Sequence, residues 1–121
     1  MTLRTLAVLS GLYDLALAGP MLLAPEATAR LFGASPPVPI LNAELNGVFT
    51  LTLAAGYFWA SLDAEGRRGY FWTAGVLAKG LGAALFIVDH FVRGSPASFL
   101  LFAATDGGLA LLTLALLIRR T

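Results

Sequence analysis

Cysteine is absent, and that one absence removes disulfides, thiolate catalysis, iron–sulfur clusters and cysteine-based zinc sites together. Histidine occurs once, at His90, so the paired axial histidines of a membrane haem are missing. No HExxH, GxSxG, P-loop or GxGxxG pattern is present. Charge is scarce: Asp, Glu, Lys and Arg make up 12% of the chain, against about a quarter in an average soluble domain. The net charge of +1 supplies no basic field for nucleic acid. With 58% hydrophobic residues there is too little polar side chain to cover a soluble surface, and lipid is the solvent that fits.

The length, 121 residues, allows one domain, read as a single membrane domain over residues 1–121. Four apolar stretches cover about residues 5–24, 40–60, 70–92 and 97–118, each near the ~20 residues that span a hydrocarbon core. Tyr57, Trp59, Tyr70, Phe71 and Trp72 lie toward their ends, as an interfacial aromatic belt requires. The links SLDAEGRRG (61–69) and RGSP (93–96) are short, which predicts an all-α, up-down-up-down four-helix transmembrane bundle. Between the first two spans, EATARLF suits a short helix on the membrane surface, and SPPVP (35–39) must be extended. Pro20 falls inside the first span and is expected to kink it. Arg4 with an apolar run and Ala27-Thr28-Ala29 share features of a secretory signal, but Asp14 interrupts the run, so the segment is expected to stay as a span.

Five basic residues, Arg4, Arg67, Arg68, Arg119 and Arg120, fall on one side; Arg30 and Arg93 fall on the other. That bias predicts a multi-pass protein with both termini cytoplasmic. Seven of the eight basic residues are arginine, as in a GC-rich bacterial genome, so the expected location is a bacterial inner membrane.

Ionisable residues inside a span cost roughly 2.5–3.5 kcal/mol each and therefore mark candidate sites. Asp14, Lys79 and Asp106 each lie nine residues into a span, about 14 Å deep, so three helices place charge in one layer. Small residues share their helix faces: Ala7, Gly11 and Ala18; Gly75 and Gly82, with Phe86; Ala103, Ala110 and Thr113, beside Gly107. The second span offers Ala43, Asn46, Gly47, Thr50, Ala54 and Tyr57. With these faces inward, Lys79 pairs with Asp14, Asp106 or both, and Asn46 and Thr50 stand nearby. Such a group fixes helix register, lines a polar ligand pocket, or passes protons. A second polar group, Asn42, Glu44, Asp89 and His90, lies toward the outer end. It is read as helix-end residues, since one His and two carboxylates make a poor metal set.

The segments LYDLALA, AELNG, AKGLG and TDGGLALL, in four spans, resemble the DoxX-like group of small bacterial membrane proteins. That resemblance implies a four-helix accessory to a respiratory or redox enzyme that uses quinone, and no established catalytic residues. In length and in the acid at mid-depth of helix one, Asp14, the chain is also similar to small multidrug transporters. It departs from them in having Asp rather than Glu, in the surrounding sequence, and in Lys79. The expected function is a non-enzymatic accessory subunit or binder of a hydrophobic small molecule. It would associate with lipid, with itself or with a larger complex, with no cofactor unless a quinone or lipid. The alternatives are a dimeric proton-coupled transporter and a membrane enzyme acting on lipid or quinone.

Overall fold

The computed structural model describes residues 1–119, so Arg120, counted above in the charge bias, lies outside the described residues. The described chain is all helical. Helix α1 is Leu3–Leu23, α2 is Pro25–Leu31 and α3 is Leu41–Ser61. Helix α4 is Arg68–Arg93 and α5 is Phe99–Ile118. Each long helix lies within two residues of its expected bounds.

Local chemistry sets the ends. Thr2 caps α1, its Oγ1 accepting from the Thr5 amide at 3.1 Å. Helix α1 continues three residues past Pro20, and the Ala24 amide bonds the Pro20 carbonyl at 2.8 Å. Proline at the first position suits α2, where no amide partner is needed; Glu26 in its first turn and Arg30 in its last match the helix dipole. Gly94 ends α4 at φ +73°, a left-handed conformation that glycine adopts without Cβ strain.

Among the described residues three helices are long and apolar enough to cross a membrane: α1, α4 and α5. Helix α3 matches them in length, but Asn42, Glu44, Asn46, Thr50 and Thr52 lower its mean hydropathy.

Helix α1 packs mainly on α3, and α4 mainly on α5. The two pairs meet at the end that holds the amino terminus. There Leu3, Leu6, Ala7, Tyr57, Ala60, Phe71, Ala74, Leu116 and Leu117 form one buried cluster. Tyr57 and Phe71 are core residues in this cluster, not the belt residues the sequence suggested; Trp59 and Trp72 are exposed. Polar clamps hold the same end. Tyr70 donates to the Leu53 carbonyl at 2.6 Å, Arg68 to the Leu117 carbonyl at 2.7 Å, and Arg67 to the Trp59 carbonyl.

Helix α4 is not regular. Phe71–Ala78 is π-helical, a departure that periodicity did not predict. Its wider turns offset the angular drift of an α-helix, so Phe71, Gly75, Lys79 and Ala83, four residues apart, all stay buried on one side. Thr113 presses on this stretch: a Cβ on Gly75 would lie 2.7 Å from its Cγ2.

Candidate functional site

Away from the closed end the helix pairs separate around a cavity of about 860 Å³, within the size range of small-molecule sites. Its floor carries Asp14, Asn46, Thr50, Lys79 and Asp106, the five residues proposed from the sequence as one polar group. Its walls are mostly apolar, with Phe32, Phe86, Phe99 and Phe102 among them. These rings touch: Phe32 and Phe102 have centroids 4.8 Å apart, Phe86 and Phe102 5.4 Å, and Phe86 and Phe99 6.1 Å.

Of the two carboxylates open to it, Lys79 takes Asp14. Its Nζ donates to Asp14 Oδ1 at 2.8 Å, with both side chains buried. The ammonium also lies 5.2 Å from the Tyr13 ring centroid and 5.5 Å from that of Tyr57, so two π-faces share its desolvation. Asp14 Oδ2 has no hydrogen-bond partner, and the hydroxyls of Ser10 and Tyr57, buried in the same region, face each other without a fully formed bond. Ser10 is four residues before Asp14, on the same helix face.

Asp106 is only half buried and sits across the floor. Its Oδ2 lies beside Gly82, and its carboxylate is within reach of the Tyr13 hydroxyl and of the field of Lys79. Among the described residues no cation lies within ion-pair distance of it. Tyr13 in turn meets Thr105 Oγ1 at 2.6 Å, joining α1 to α5. Thr50 donates to the Asn46 carbonyl at 2.7 Å, and the Asn46 side chain is exposed.

Helix α2 and the link after it lie along the outer part of the cavity, through Pro25, Thr28, Ala29, Leu31, Phe32 and Ser35. Ser98 donates to the Phe32 carbonyl, which fastens this strap to the start of α5.

The second polar group does not assemble. Asp89 pairs with Arg93 at 3.1 Å and accepts from Ser95, and His90 Nδ1 lies 2.7 Å from the Ser95 carbonyl. Both therefore serve the turn that follows α4. Asn42 and Glu44 are exposed on α3 and make no side-chain bond to Asp89 or His90. Among the described residues no group of three metal-ligating side chains occurs.

Sequence reasoning placed Phe86 on an inward face but missed Tyr13, Ser10, Phe32, Phe99 and Phe102. Tyr13 adjoins Asp14 and Ser10 precedes it by one turn, so both were within reach of spacing. The phenylalanine wall was not, because Phe32 comes from the strap and the others from two helices. No family model, curated protein or solved structure matches the chain.

Proposed function

We propose that this chain is a four-span membrane protein that holds one amphipathic small molecule. The polar head would lie among Asp14, Lys79 and Asp106, and the apolar body against Phe32, Phe86, Phe99 and Phe102. The observation that carries this reading is the cavity itself: its charged floor lies at mid-depth of the helices and its ring-lined walls run to their outer ends. Enzymatic turnover is not needed to explain it.

On this reading α3 is the fourth crossing. Its polar Asn46 and Thr50 face the cavity and so avoid lipid, while Leu45, Val48 and Phe49 are exposed to lipid or to a partner subunit. Both termini would be cytoplasmic in a bacterial inner membrane, and the chain would belong with the DoxX-like proteins as an accessory subunit. The arginine bias and the helix order support that placement.

The test is native mass spectrometry of the protein released from nanodiscs formed directly from host membranes. The wild type should carry a small-molecule adduct. Ala43→Trp, which fills the cavity from α3, should lose it while keeping the same melting temperature within a few degrees. A wild type without adduct, or a filled variant that retains one, contradicts the reading.

A further inference from the structure

The floor of the cavity is short of one positive charge. Asp14 and Asp106 bring two carboxylates and Lys79 brings one ammonium. Lys79 is committed to Asp14 at 2.8 Å and lies against the Tyr13 and Tyr57 rings. Asp106, open to the cavity from the opposite side, has no ion-pair partner among the described residues. Asp14 adds Oδ2, an acceptor with no partner.

A lone carboxylate at this depth must be neutralised by a proton or by a cation. A proton needs no room. The cavity offers about 860 Å³ above Asp106 and a wall of four phenylalanine rings, which only a bulky apolar body would use. We propose that the head of the bound molecule is a single protonated amine, which pairs with Asp106 and leaves the Asp14–Lys79 pair intact. An acidic head would bring a third negative charge to one ammonium. A neutral head would leave Asp106 unpaired. The amine donates N⁺–H bonds to Asp106 and faces the Tyr13 hydroxyl beside it, while its apolar tail lies toward Phe86 and Phe102. This assignment rests on the amphiphile reading above and adds the charge of the ligand to it.

Three probes with the same apolar body separate the two claims: phenylbutylamine, phenylbutanol and phenylbutanoate. Each is titrated by calorimetry into the full chain in nanodiscs, and binding to empty nanodiscs is subtracted. The amine should bind at least about tenfold more tightly than the acid, with the alcohol between them. Asp106→Asn should remove most of the preference for the amine over both the alcohol and the acid. The ranking on the wild type does not depend on the variant folding. Equal or tighter binding of the acid or the alcohol overturns the amine assignment and leaves the amphiphile reading standing. No binding by any of the three overturns both.

Discussion

Replacing Lys79 by methionine tests the ionic pair, because the change keeps most of the unbranched side chain and removes its charge. At 2.8 Å the attraction between Lys79 and Asp14 is about 6 kcal/mol for an effective dielectric near 20. Desolvating the two ions opposes it by several kcal/mol each, so the intact pair contributes little net stability. The single variant is different. Asp14 is 3% exposed, and its Oδ2 already lacks a partner. Lys79→Met would strand that carboxylate, at a cost of about 3–5 kcal/mol. Protonating an ordinary Asp carboxyl at pH 7 costs about 4 kcal/mol, so the penalty cannot run far beyond that figure. The same step makes the deficit shrink as pH falls, since the stranded carboxyl is then neutralised more cheaply. Lys79→Met combined with Asp14→Leu removes both charges at similar volume, and should recover most of the loss. Thermal melts of the wild type and both variants in one detergent, at pH 7 and pH 5, give the comparison. If the double variant melts clearly below Lys79→Met, the pairing of these two residues is refuted.

Three further outcomes follow from other contacts. Tyr57→Phe removes a buried hydroxyl that faces the Ser10 hydroxyl without a fully formed hydrogen bond, so stability should change by no more than about 1 kcal/mol, read by the same melts. Gly56→Ala puts a methyl group onto the Tyr70 ring, which is held by its bond to the Leu53 carbonyl. The expected loss is about 1–3 kcal/mol, and a neutral result would mean that Tyr70 does not clamp the closed end. Ser98→Ala frees the strap from α5 without touching the floor. Limited proteolysis should then cut within residues 33–39 faster than in the wild type, while the melting temperature changes little.

The helices were legible because apolar runs, Pro25, Gly94 and the polar links mark them directly in the chain. The charged floor was legible for a geometric reason: nine residues into each of three spans is one depth, whichever side the helix enters from. The choice of partner was not. Lys79 reaches Asp14 and not Asp106 from a helix whose preceding turns are π-helical and bring Gly75 close against Thr113. A tertiary contact of that kind leaves no period in the sequence. A polar pocket was among the expected readings, but its apolar outer wall was hidden for a related reason. Small residues on all four inward faces predicted close approach throughout, and Ala7, Ala60 and Ala74 do allow it at the closed end. At the other end Phe32, Phe86, Phe99 and Phe102 stand between the pairs, and their meeting depends on where the strap runs. Asn42 and Glu44 were grouped with Asp89 and His90 by depth alone. The left-handed turn at Gly94 draws Asp89 and His90 back to Ser95 on their own segment.

The absence of cysteine permits a direct measurement of how often this chain crosses the bilayer. Single cysteines at Thr2, Ser35, Ala64 and Ala97 are labelled in intact cells and in lysed cells with a maleimide that cannot cross membranes. Four crossings with inner termini predict that Ser35→Cys and Ala97→Cys react in intact cells, whereas Thr2→Cys and Ala64→Cys react only after lysis. Labelling of Ser35→Cys and Ala64→Cys from the same side would mean that α3 does not cross, and the floor of the cavity would then not lie within the membrane as proposed.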